Sequence, residues 1–286
     1  MKFRAMTFAA AVAWCAAPAQ AGPLGGVFVD VDQVFTETTG MFTDVLGTFM
    51  PGVTNIRLGL GPVIGTKYEG DGSYNVAVAP VLSLRYKDIV EVDNNNIRVN
   101  LIPDDLFNTS NFKAGPLLKV DFGRDESDSA DLTGLGNVST SIELGVYASY
   151  AVGPVRYRVK FRKDVASGHS GTLGDVDMSV AVFRSENAAF GARISTTWAS
   201  KRYTRAFFGI TADQATASGL AQYTPGGGFK DFSMTMGGEY RLTRSWAIVG
   251  NAGYTRLLGR IKKSPLVSTR GSANQFSAGA FAVYTF

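Results

Sequence analysis

Val155-Arg156-Tyr157-Arg158-Val159-Lys160-Phe161-Arg162 alternates apolar and basic residues without a break. A β-strand sends successive side chains to opposite faces, so this stretch has one apolar face and one face carrying four positive charges. Turned toward lipid, each Arg or Lys at the bilayer midplane would cost about 2–4 kcal/mol. The reading that follows places Val155, Tyr157, Val159 and Phe161 against lipid and points the ladder Arg156, Arg158, Lys160 and Arg162 into a lumen. There the four bases either attract anions or pair with inward carboxylates such as Glu143, Asp177 and Glu239.

The same period recurs on both sides of this stretch. Tyr74, Val76, Val78, Pro80, Leu82, Leu84 and Tyr86 share one face, and Phe232, Met234, Met236, Tyr240 and Leu242 share another. Twelve such segments lie near 55–65, 75–87, 89–101, 111–123, 139–151, 154–164, 175–185, 188–199, 202–211, 229–241, 245–257 and 274–286. Most have the length of about 9–11 residues that a tilted strand needs to cross a membrane, against about 5–6 for strands of soluble proteins. Tyr74, Tyr86, Tyr150, Trp198, Tyr203, Tyr240, Trp246 and Tyr284 stand toward segment ends, where interfacial girdles belong. Backbone groups in a bilayer must all be paired, so the sheet has to close. The expectation is an all-β, antiparallel transmembrane barrel over 55–286, with twelve strands, or ten with two outside the membrane. Phe286 ends the last segment with Tyr284 two positions before it, which resembles the signal read by outer-membrane assembly machinery.

Composition agrees. The 286 residues are 45% hydrophobic and 18% charged, with 33 glycines. A mean hydropathy of +0.04 is far below that of a polytopic helical membrane protein. One cysteine and one histidine exclude a Cys-rich zinc site and the multi-His catalytic sites. Residues 1–21 read as a secretory signal: Lys2 and Arg4, an apolar stretch from Phe8 to Ala17, then Ala19-Gln20-Ala21. Trp14 before Cys15 argues against a lipidated cysteine. Cleavage would remove Cys15 and lower the formal net charge of +4 by the two bases of the signal. No nucleic-acid signature remains. Residues 22–54 carry Val31, Val34, Phe35, Phe42, Val45, Leu46 and Phe49 near i, i+3/i+4 spacing. They read as a periplasmic leader or a part-helical plug, with an extra strand as a third option.

Connection lengths fit unevenly. Counting back from a periplasmic C-terminus, 258–273 and 212–228 fall outside the cell, and the short turns 242–244 and 200–201 fall in the periplasm. Upstream the order inverts, with 165–174 and 124–138 periplasmic and 186–187 and 152–153 outside. Either one strand is misplaced or the periplasmic rim is elaborated.

Several stretches resemble the MltA-interacting protein/outer membrane protein V (MipA/OmpV) family. Leu58-Gly59-Leu60-Gly61-Pro62, Tyr68-Glu69-Gly70-Asp71 and Pro80 look like its first hairpin. Phe207-Phe208-Gly209-Ile210-Thr211, Ser218-Gly219-Leu220 with Tyr223, Gly228-Phe229-Lys230-Asp231, Tyr254-Thr255-Arg256-Leu257-Leu258-Gly259 and Ser264-Pro265-Leu266-Val267 look like its later half. Lys67 departs from the family, which often has proline there, and 22–54 has no placed counterpart. The resemblance implies a barrel in the cell outer membrane of a Gram-negative bacterium, in contact with its lipids. It also implies a scaffold for a periplasmic murein hydrolase and synthase, or a porin-like or adhesive role, and it does not imply a catalytic residue.

The candidates for chemistry are weak. His169 lies in Ser167-Gly168-His169-Ser170-Gly171, where two glycines suggest a solvated turn and no orienting acid is adjacent. Asp125, Glu126, Asp128 and Asp131 crowd one loop but lack the spacing of a calcium loop. Gly226-Gly227-Gly228 precedes no helix and is no phosphate cradle. The expectation is a non-enzymatic scaffold without metal or cofactor, with a narrow porin-like channel for small solutes, anionic ones among them, as the alternative.

Overall fold

The computed structural model describes residues 55–102 and 111–286. The proposed signal 1–21 and leader 22–54 lie outside the described residues. Twelve antiparallel strands close into a barrel. They are β1 (Asn55–Gly65), β2 (Asn75–Tyr86), β3 (Val90–Asp93), β4 (Asn96–Val99), β5 (Phe112–Asp121), β6 (Ser141–Val152), β7 (Val155–Asp164), β8 (Thr172–Arg184), β9 (Ala188–Ala199), β10 (Gly228–Arg241), β11 (Trp246–Leu257) and β12 (Asn274–Thr285). Closure is made by β1 on β12, from Arg57↔Thr285 to Ile64↔Ala278. Gly61 permits this approach, since a Cβ there would stand 1.9 Å from the Ala280 carbonyl oxygen.

Alternation decides the two surfaces. Outward residues such as Leu60, Val78, Val146, Phe161 and Met236 are exposed, forming the apolar band that lipid would cover. Tyr86, Tyr150, Tyr157, Tyr240 and Trp246 mark one rim, and Tyr74, Trp198, Phe229 and Phe276 the other.

The twelve strands include two corrections to the sequence reading. Segment 89–101 is a hairpin of two four-residue strands, because Asn94, at φ 45°, turns the chain between Asp93 and Asn96. Its tip is tied to both neighbours: Asn94 N–H donates to the Leu82 carbonyl at 2.8 Å, and Val120 N–H to that of Asn95 at 2.9 Å. Segment 202–211 is no strand. It contributes to α1 (Lys201–Phe208), which buries Tyr203, Thr204, Phe207 and Phe208 at helical spacing. The helices α2 (Ala212–Ser218) and α3 (Pro265–Ser268) follow in the loops.

Removing that strand resolves the inverted connections. The connections 66–74, 122–140, 165–171, 200–227 and 258–273 all lie at one end of the barrel. The turns 87–89, 153–154, 185–187 and 242–245 lie at the other. Outer-membrane barrels keep short turns on the periplasmic side, which makes the elaborated end extracellular. The short turn at 153–154 places Gly153 at φ 54° before Pro154, a glycine-first geometry suited to a two-residue hairpin.

Candidate functional site

Two built features stand inside this frame, a charged inner wall and an extracellular cap. On the wall, Arg158, Arg162 and Asp164 of β7 are buried on the face opposite Tyr157, Val159 and Phe161, with Arg156 and Lys160 half-buried in the same register. Antiparallel pairing sets Arg158 opposite Asp177 and Lys160 opposite Asp175. The Arg158 guanidinium meets Asp177 at 3.0 Å, and Arg193 of β9 reaches the same carboxylate at 3.3 Å. Arg162 bridges Glu143, at 2.6 Å, and Asp175. Glu239, a partner considered for the ladder, instead pairs with Arg57 at 2.5 Å and Arg241 at 3.2 Å. Asp177 and Glu239 each keep a second base when one is removed, whereas Arg162 serves two buried carboxylates at once.

The single histidine belongs to this network, not to a solvated turn. His169 is 3% exposed. Its Nδ1 accepts the Gly171 N–H at 2.9 Å and its Nε2 lies 3.1 Å from Glu143. An accepting Nδ1 puts the proton of a neutral imidazole on Nε2, which then donates to the carboxylate. Among the described residues, Asp121, Glu143 and His169 bring possible metal-ligand atoms within 4.8 Å of one another. The ring's two nitrogens are already committed, and Glu143 also receives Arg162, so His169 and Glu143 form a strut fixing loop 165–171 to the wall. Its acid partner stands 26 residues away on a neighbouring strand, where no local motif would find it.

The cap is formed by the long connections. Val138, Leu173, Tyr203, Phe207, Phe208 and Leu257 belong to one buried apolar cluster. Tyr68, Leu132, Leu135, Ile210, Leu220 and Leu266 form a second. Polar ties lock the pieces: Arg124 Nη1 donates to the Phe207 carbonyl at 2.7 Å, Ser264 Oγ to that of Phe208 at 2.8 Å, and Arg270 Nη1 to that of Asp131 at 2.7 Å. Burial lowers the Arg124 guanidinium to about 10, although it stays charged at neutral pH. Burial raises the Tyr203 phenol in the same layer. Glu69, also raised by burial, receives Lys230.

The acidic loop is self-satisfied. Asp125 accepts the Ser127 N–H at 2.8 Å, Asp128 accepts that of Asp125 at 3.0 Å, and Glu126 accepts those of Gly134 and Gly136. The carboxylates of Asp125, Glu126 and Asp128 act as backbone caps. Gly226, Gly227 and Gly228 line a pocket of about 300 Å³ beside α1, together with Phe229 and Arg260.

An apolar outer band between aromatic rims, an ion-paired lining and a capped extracellular mouth define an outer-membrane β-barrel. A family profile described as "MltA-interacting protein MipA" matches residues 58–286. The chain belongs to that family. Outer membrane protein Omp26La of Vibrio anguillarum is 29% identical over 165 residues, covering 57% of this chain and 61% of that protein. Outer membrane protein OmpV of Vibrio cholerae serotype O1 is 28% identical over 170 residues, with the same coverage of both. The MltA-interacting protein of Escherichia coli K12 is 27% identical over 74 residues, 26% of this chain and 29% of its own length. The chain thus matches about three fifths of the length of the two Vibrio proteins.

Proposed function

We propose that this outer-membrane barrel is a structural protein that holds murein enzymes at its periplasmic face. The observation that carries the reading is the cap, whose two apolar clusters cover the extracellular mouth as a packed core would and not as loops around an open pore. The name of the Escherichia coli relative, MltA-interacting protein, supports the choice of partner. Affinity capture from detergent-solubilised envelopes tests it. Enrichment of a murein hydrolase or synthase is the expected result, and failure to enrich either counts against the scaffold.

A second reading is a narrow channel for small anionic solutes, favoured by the basic ladder Arg156, Arg158, Lys160 and Arg162. The doubly reversed variant Arg158→Glu/Arg162→Glu in planar bilayers separates the two. A channel lined by this ladder would lose anion preference. An unchanged preference, or no conductance in either protein, removes the channel reading.

A further inference from the structure

Charge is divided unevenly over the extracellular cap. The connections 200–227 and 258–273 carry seven Lys or Arg residues and one acid, Asp213, whereas 122–140 carries one base and four acids. The basic side converges on the stretch 225–227. There the Arg205 Nε of α1 donates to the Pro225 carbonyl at 3.4 Å. A Cβ on Gly226 would stand 2.2 Å from the Arg260 Nη1, and one on Gly227 3.0 Å from the Lys201 backbone nitrogen. Lys262 and Lys263 follow Arg260 in the short turn Ile261–Lys263. Below them, Arg256 points outward from β11 on the face of Ile248 and Tyr254, opposite Phe232 of β10 and Asn274 of β12. All six of these bases are exposed. Among the described residues none of the six enters an ion pair. Arg256 donates instead to the neutral Asn274 amide oxygen, at 2.9 Å.

We propose that this rim binds a phosphorylated glycolipid of the outer leaflet, its phosphates held by Arg256, Arg260, Lys262 and Lys263. Uncompensated bases call for an anion, and two of the four are arginines, whose planar forks match phosphate oxygens. The position selects a lipid over a soluble anion. Phe229 lines the pocket of about 300 Å³ with Thr204 and Arg260, yet it is 60% exposed on the outer surface. The pocket therefore opens at the edge of the apolar band. Beside Arg256 the same surface carries Phe232, and Phe276 packs on Tyr254 with ring centroids 5.0 Å apart. An outward arginine is costly on the lipid face at midplane but is accommodated near the interface. There its stem lies along acyl chains and its tip reaches the headgroup. Clustered bases at a membrane surface recognise anionic headgroups by summing such modest attractions.

The inference rests on the extracellular assignment of the capped end and is independent of the scaffold reading. The purified protein in neutral detergent is titrated with bisphosphorylated lipid A and, separately, with the same lipid stripped of its phosphates. Bound lipid is read by native mass spectrometry. The parent should retain the bisphosphorylated lipid and hold the stripped one about tenfold more weakly or less. Arg256→Gln/Arg260→Gln/Lys263→Gln should weaken binding of the bisphosphorylated lipid by about tenfold or more. Arg244→Gln, exposed in the turn at the opposite end, should leave it unchanged. Heat-modifiable gel mobility shows that each variant is folded. Should the triple variant not fold, Lys262→Gln/Lys263→Gln takes its place, with a smaller loss of binding expected. Equal affinity in parent and variant overturns the proposal, as does an equal loss in Arg244→Gln, which would reduce the effect to net charge. Displacement of the lipid by inorganic phosphate at equal concentration would give the rim to soluble anions and overturn it too.

Discussion

Arg162 is the residue on which most of the inner wall converges, since it holds Glu143 and Asp175 together while Glu143 also receives His169. Arg162→Ala should destabilise the barrel by about 3–5 kcal/mol, the cost of a buried charge left without its partner. Urea unfolding from lipid vesicles, followed by tryptophan fluorescence, measures it. Asp125 gives the acidic loop a pH-dependent contribution. The Ser127 N–H and hydroxyl depress its pKa, so its contribution is present above the unfolded carboxylate pKa. It disappears as pH falls through the lower folded value. Pepsin cleavage within 122–140 should therefore begin below about pH 4 while the barrel still migrates as folded, and Asp125→Asn should show the cleavage at its full rate from pH 4 downward. The inward direction of Arg158 and Arg162 is legible in Val155–Arg162 because a strand has only two faces and one of them meets lipid. The burial of His169 is not legible, because tertiary pairing across strands supplies both its acid and its backbone donor.

At the scale of elements, α1 is the piece whose sequence points two ways. Tyr203, Arg205 and Phe207 alternate with Thr204 and Phe208 as in a strand, yet Tyr203/Phe207 and Thr204/Phe208 also share one helical face. Over eight residues the two periods barely separate, and packing in the cap selects the helix. The hairpin of β3 and β4 is hidden for a related reason. Two turn residues keep the alternation in phase, and only the run Asn94-Asn95-Asn96 marks the reversal. The remaining strands are long enough for period two to stand unchallenged. Phe208 is 0% exposed at the centre of the cap. Phe208→Ala should cost the cap about 3–5 kcal/mol and leave the barrel closed. Proteases added to intact cells should then cut within 200–227 in the variant and spare the parent.

For the whole molecule, the wall is not equally strong all the way round. The β1–β2 ladder pairs eleven positions, whereas β2–β3 and β3–β4 pair four each and β4–β5 three. Hydrogen exchange in vesicles should therefore be fastest, among wall amides, over 90–99, and slowest over the long ladders of β10 and β11. If 90–99 proves as protected as β11, the ladders are not what sets local stability. The short hairpin gives this cylinder a built-in seam, running from Leu82 past Asn94 and Asn95 to Val120. A force that widens the barrel parts it there first, two strands away from the junction that joins its first and last strands, and the breach faces the outer leaflet.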